Sequence, residues 1–244
     1  MPRFFIPTEQ MGEGSVTVLG ADAFHIARAL RMACGEEIVV CDSKMQVHTC
    51  RLTKITDSAV EAEILSTKEA DTEPPVALHL YQAWPKGDKM ELIVQKATEL
   101  GAASITPFLS ERCIKVPKED KVEKQLSRLS RIAAEAAGQC GRAVLPSVNE
   151  PLSFIGLCEA IKKHDAMLFC YEAEAALSIK AALKDLSVPK SIGIIVGAEG
   201  GFSQKEAEQL CKAGAVSVGL GKRILRCETA PLFALSALLY HYEL

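Results

Sequence analysis

No run of eighteen or more apolar residues occurs in the 244-residue chain, so no segment is built to cross a bilayer as a helix. The opening Met1-Pro-Arg-Phe-Phe-Ile-Pro7 lacks the long apolar stretch of a secretory signal, and a cytoplasmic location is the expectation. The nine cysteines include no Cys-x-x-Cys pair and no closely spaced Cys/His set. An odd number of cysteines scattered among apolar neighbours reads as reduced, mostly buried thiols, and no metal site is expected. Also missing are the Gly-Lys-Ser/Thr ending of a phosphate loop and the Gly-x-Gly-x-x-Gly of a dinucleotide fold, which disfavours the common nucleotide-binding enzymes. There is no internal repeat.

What is present is a globular composition, 48% hydrophobic, enough for one large domain or two modest ones. The net charge of −3 hides an uneven distribution. Residues 1–72 carry 7 basic and 11 acidic side chains, whereas residues 112–142 carry 8 basic and 4 acidic. The basic stretch is either a solvated helix face or a local anion-binding surface.

The first 70 residues read as strand-rich, with strands over Ser15–Leu19, Glu37–Cys41, Gln46–Leu52 and Ala59–Leu65. A helical interruption is expected over Ala21–Arg31. The polar Glu69-Ala-Asp-Thr-Glu-Pro-Pro75 suits a linker between domains at 1–72 and 73–244. From Val76 onward strands and helices alternate, the sign of an α/β domain with a mostly parallel sheet. Asp88 and Glu91 have the spacing of a capping pair for a helix whose apolar stripe is Met90, Ile93, Val94, Ala97 and Leu100. A second helix carries Val122, Leu126, Leu129, Ala133 and Ala136 on one face, with Arg128 and Arg131 off it. Further on come a strand over Ala166–Tyr171 and a helix over Ala173–Leu183.

Two glycine-rich loops then follow short apolar strands at Ile192–Val196 and Val216–Leu220. The first is Gly197-Ala-Glu-Gly-Gly-Phe-Ser203, where Gly200 and Gly201 allow backbone to approach a ligand. Ser203 and Glu206 form a capping-box pattern, so a helix begins directly after it. The second is Leu220-Gly-Lys-Arg-Ile-Leu-Arg-Cys-Glu-Thr-Ala230. Ile224 and Leu225 are apolar residues inside a loop and need a partner, either core or a flat apolar ligand. Thr229 and Pro231 suit a helix start. Leu232–Tyr242 is apolar on nearly every side, the mark of a helix buried within the subunit or against another.

These two loops closely resemble the C-terminal motifs of the SPOUT-class RNA methyltransferases, and among them the family that methylates uridine N3 in small-subunit (16S) ribosomal RNA. The resemblance runs through nearly the whole chain, carried also by Lys86-Gly-Asp-Lys-Met-Glu91, Gln95–Gly101, Ile105–Phe108, Ser110–Cys113, Gln139–Arg142 and the segment from His25 to Arg31 with Gly35. Two positions depart from the family pattern: Ala198 replaces a proline and Gly138 replaces a glutamate.

The resemblance implies a SPOUT fold with a C-terminal trefoil knot, preceded by a small PUA-like RNA-binding β-barrel. It implies S-adenosylmethionine as cofactor, held by Val196, Gly197, Glu199, Gly200, Gly201, Leu220, Gly221, Ile224, Leu225 and Thr229. The partners it implies are ribosomal RNA or the assembled small subunit, and a second copy of the chain in a homodimer. Arg226 is the candidate for stabilising the anion that develops on the base, against the alternative that it pairs with Glu228 and only shapes the loop. Glu199 is a candidate proton acceptor or loop-holding group. Arg3, Arg28, Arg31, Arg112, Lys115 and Arg142 are candidates for RNA phosphate binding, each against a plain surface-charge role. Transfer to a ribose 2′-OH, or a ribosome-assembly RNA-binding role without catalysis, are the competing functions.

Overall fold

The computed structural model describes residues 1–42, 44–114, 117, 119–171, 177–184 and 188–244, and the chain divides into two units. The first comprises Met1–Glu73 and Ala137–Leu145. Its strands are β1 (Arg3–Phe5), β2 (Ser15–Leu19), β3 (Glu37–Cys41), β4 (Gln46–Ile55) and β5 (Ala59–Glu69). They form one sheet in the order β1-β3-β4-β5-β2, with β1 parallel to β3 and every other pair antiparallel.

Side chains alternate across each strand, and Val16, Val18, Val60 and Ala62 face one buried cluster with Ile38, Val40, Cys50 and Leu52. Phe4 and Ile6, on or just beyond the opposite edge strand, join the same cluster. The sheet therefore wraps a single core. Among the described residues its edges β1 and β2 do not pair with each other, so the expected barrel is not closed by a ladder; β1, only three residues long, is taken up by β3.

The helical interruption is shorter than the sequence pattern suggests. Helix α1 (Gly20–Phe24) passes into a π-helical turn at His25–Ala29, and Arg31 then takes φ 52°. The end of the expected linker is not loose either. Thr72 Oγ1 accepts from the Ala143 N–H at 3.2 Å, and the Glu73 carboxylate receives the Arg142 guanidinium, with Nε at 3.1 Å. Ala143 packs with Val39, Cys41 and Val47 on the other side of the sheet.

The second unit comprises Pro74–Ala136 and Pro146–Leu244. Its strands are β6 (Ala77–Ala83), β7 (Ala102–Phe108), β8 (Ser147–Val148), β9 (Ala166–Cys170), β10 (Leu177–Ser178), β11 (Ser191–Val196) and β12 (Val216–Gly219). All pairs are parallel, in the order β10-β12-β9-β11-β6-β7-β8. The helices are α2 (Lys89–Glu99), α3 (Glu119–Cys140, whose residues from Ala137 on belong to the first unit), α4 (Phe154–Ala160), α5 (Ile179–Lys184), α6 (Gln204–Ala213) and α7 (Ala230–Tyr242).

A parallel sheet must be covered on both faces, which is why its strands are largely apolar. One face packs Leu78, Leu80, Ile192 and Ile194 against Ile93 and Ala97 of α2 and Leu235 and Leu238 of α7. The other packs Tyr81, Phe169 and Ile195 against Leu157 of α4 and Leu210 of α6.

The helix starts separate by backbone geometry. Ser203, at φ −71° and ψ 158°, is extended and makes the complete capping box with Glu206. Asp88 (φ −92°, ψ 10°) and Thr229 (φ −90°, ψ −36°) are not extended, and neither side chain caps its helix, because a side-chain cap needs an extended residue at that position. Glu91 pairs instead with Arg128 at 2.8 Å. Of the helix expected over Ala173–Leu183, residues 173–176 lie outside the described residues. Leu177–Ser178 form β10, and α5 starts only at Ile179.

Candidate active site

At the carboxyl ends of β9, β11 and β12 the two glycine-rich loops form the walls of one cleft of about 940 Å³. In open parallel sheets this is where ligands bind. Val196, Gly197, Glu199, Gly200 and Gly201 line one wall, and Leu220, Gly221, Ile224, Leu225 and Arg226 the other. Thr229, expected among them, is exposed and outside the lining, because the turn closed by its N–H to the Arg226 carbonyl carries it into the start of α7.

The first loop is fastened from below and from the side. Buried Gln82 donates through Nε2 to the Gly197 carbonyl at 3.2 Å. Arg112 Nη1 donates to the Gly200 carbonyl at 2.8 Å. Gly201 takes φ 62°, which glycine adopts without a Cβ penalty. Gly200 is glycine for another reason: a Cβ there would fall 2.9 Å from Arg112 Cβ. Glu206, 5% exposed, accepts the Glu111 N–H at 2.8 Å, tying the Ser110–Cys113 segment to the start of α6.

The second loop is held more sparsely. Leu220 and Leu225 pack against the core, while Ile224 is 82% exposed. Among the described residues, the backbone N–H groups of Lys222 to Leu225 have no hydrogen-bond partner, so they remain available to solvent or a ligand. Arg226 is 83% exposed and stands 4.0 Å from Glu228.

The two loops meet at a residue the sequence reading did not single out. Lys89 Nζ lies 2.9 Å from Glu199 Oε1 and 3.2 Å from Glu228 Oε2, and 3.8 Å from Cys227 Sγ. Hydrogen bonds that Lys89 donates, first to Glu199 and then to Glu228, raise its pKa above the ordinary value. Burial works to raise the Glu199 carboxyl, but the Lys89 ammonium and the Lys86 N–H outweigh it and leave the pKa lowered. Glu228 is lowered in the same balance, burial opposed by hydrogen bonds from backbone, Cys227 and Lys89. Burial, reinforced by Glu228, pushes the Cys227 thiol up to about 12, so it is neutral and inert as a nucleophile. These contacts tie Glu199 to the start of α2, and an ionised, hydrogen-bonded carboxylate is a weak proton acceptor.

The basic candidates separate clearly. Arg142 is 4% exposed and paired with Glu73 within the first unit, which leaves its guanidinium little surface to offer a phosphate. Arg3 Nη1 donates to the Arg142 carbonyl at 3.0 Å. Arg28 is forked on Asp57 at 2.8 and 2.6 Å while 62% exposed. Arg31 is exposed. Arg112 braces the first loop, and Lys115 lies outside the described residues. At position 138 a Cβ would meet only the Arg3 carbonyl, at 3.8 Å, so the departure there leaves room rather than a clash. Among the described residues no group of three potential metal ligands exists, and no helix is long and apolar enough to cross a membrane.

A covered parallel sheet with a cleft of free backbone groups and apolar side chains at its carboxyl ends defines an α/β protein with a small-molecule site. Residues 72–239 match the RNA methyltransferase domain family, and residues 18–65 the RNA methyltransferase PUA domain. The chain is 36% identical to ribosomal RNA small subunit methyltransferase E of Bacillus subtilis, covering 100% of this chain and 98% of that one. It is 34% identical to the Synechocystis protein of the same name, over 96% of this chain and 76% of the other. The solved structure of ribosomal RNA small subunit methyltransferase E from Neisseria gonorrhoeae, bound to S-adenosyl methionine, is similar with a TM-score of 0.86. It is 33% identical, over 99% of this chain and 98% of that one. The chain belongs to the RNA methyltransferase family and, within it, to the group named ribosomal RNA small subunit methyltransferase E.

Proposed function

We propose that this protein transfers the methyl group of S-adenosylmethionine to N3 of a uridine in the 16S ribosomal RNA of the small subunit. The observation that carries this reading is the convergence of both glycine loops on one cleft of about 940 Å³, at the upper end of the range for small-molecule sites. The cleft suits the cofactor in kind as well as size. Unpaired backbone N–H groups at Lys222–Leu225 suit the edge of an adenine ring, and Leu220, Ile224, Leu225 and Val196 suit its faces.

Bound there, the cofactor supplies a methyl group already activated by its sulfonium. The protein's own task is to place the base, exclude water and stabilise the anion left on O2 and O4 as N3 loses its proton. Arg226 is the residue for that charge: it lines the cleft, and its guanidinium is free enough at 83% exposure to reach a ligand. Glu199 holds the first loop.

The finer architecture belongs to the same reading. Residues 1–72 form a PUA-like RNA-binding domain with Arg28 and Arg31 on its surface, and residues 73–244 a SPOUT domain whose last segment is threaded as a trefoil knot. The protein works in the cytoplasm as a homodimer, for which Phe233 and Tyr240 of α7 and Leu92 of α2, all exposed, supply apolar surface. Nucleoside mass analysis of ribosomal RNA from a strain lacking the gene tests the reaction: N3-methyluridine should disappear, and loss of a ribose-methylated nucleoside instead would assign the 2′-OH.

A further inference from the structure

Lys89 occupies the first position of α2, where a helix presents the positive end of its dipole and a cation is locally disfavoured. A residue that breaks a local rule is held there by something non-local. Here the compensation comes from two carboxylates, Glu199 in the first loop and Glu228 in the second, at 2.9 and 3.2 Å. The three side chains are only partly exposed, at 32%, 28% and 16%. Cys227, 7% exposed, packs its sulfur against the ammonium and donates to Glu228 at 3.3 Å.

We propose that Lys89 is a positioning residue for methyl transfer: one ammonium shared by Glu199 and Glu228 sets the gap between the two loops that wall the cofactor cleft. The proposal rests on that cleft being the S-adenosylmethionine site. Without the cation two carboxylates face each other across the cleft, and like charges in a partly dehydrated site push the walls apart. The same contact carries the state of the first loop to Arg226, two residues before Glu228. Neither loop has another cation bridging it to its partner among the described residues.

The test is calorimetric titration of S-adenosylmethionine into the full-length wild-type protein and the K89M, K89R, E199Q and K89M/E199Q variants, with RNA KM measured at saturating cofactor. K89M should bind cofactor about tenfold more weakly or worse, and K89R should stay within about threefold of wild type, as expected for directly coupled charged neighbours. E199Q should cost affinity in the wild-type background and little more in K89M. RNA KM should stay unchanged in K89R, and the melting temperatures of the cofactor-free proteins should not track the loss of affinity. Wild-type affinity in K89M, failure of K89R to rescue, or simply additive K89M and E199Q losses would overturn the clasp. Wild-type protein that binds no S-adenosylmethionine overturns the cofactor site itself, a failure visible in the first titration.

Discussion

Gly200 and Arg112 are packed so closely that a Cβ on the glycine would lie 2.9 Å from Arg112 Cβ and 3.3 Å from its Cδ. The arginine in turn donates to the Gly200 carbonyl at 2.8 Å. The glycine of this loop is thus required by a protein neighbour as much as by any ligand. Gly200→Ala should displace Arg112, cost about 1–3 kcal/mol as an overpacking change, and weaken cofactor binding. Thermal melting and calorimetry on the same sample check both effects.

Arg142 and Glu73 form an ion pair with side chains 4% and 14% exposed. Removing one partner leaves the other charge buried, at a cost of about 3–5 kcal/mol. Arg142→Met should therefore lower the urea midpoint of the first unit strongly. The salt dependence of RNA binding by the protein that remains folded should not change, because a phosphate contact would reduce that slope by about one.

Arg226→Ala should leave cofactor affinity near wild type and slow methyl transfer by about a hundredfold or more, the range for losing one transition-state donor. Single-turnover rates at saturating RNA and cofactor measure it. A full rate with normal cofactor binding would remove Arg226 from the chemistry and leave it as a shaper of the loop beside Glu228.

A half-buried histidine pair gives the second unit a pH dependence. Tyr81 Oη and His164 Nε2 are 2.7 Å apart, His79 Nδ1 and Ser104 Oγ are 2.7 Å apart, and the two imidazole rings lie 4.5 Å from each other. Burial first, then His79 and Lys163, pull His164 down to about 4 against the opposing field of Asp165. Burial also lowers His79. Both imidazoles take up a proton less readily folded than unfolded, and for His164 the unfolded chain holds more protons between pH 6.5 and about 4. Stability should fall as pH drops through that window and be fully present above it, with His164 the larger contributor. Denaturation midpoints from pH 7 to pH 4 should show this slope, flattened in His164→Gln.

The sequence carried what depends on near neighbours. Ser203 and Glu206 are three residues apart, so their capping box was legible, as were the apolar runs of β6, β11 and β12 and the stripe on α2. Asp88 and Thr229 have suitable side chains but the wrong backbone angles, which residue type alone does not reveal. Charge counts placed Arg142 with the basic stretch; its partner lies 69 residues upstream. Lys89 escaped notice because its partner Glu199 is 110 residues away. A lysine at the first position of a helix was the one local sign that something distant compensates it.

The most direct measurement is incubation of purified protein with radiolabelled S-adenosylmethionine and small ribosomal subunits, followed by mapping of the labelled nucleoside. Label in N3-methyluridine at a single position of 16S ribosomal RNA, abolished by Arg226→Ala, is the expected result. Label on a ribose, on another base, or on no RNA at all would contradict it.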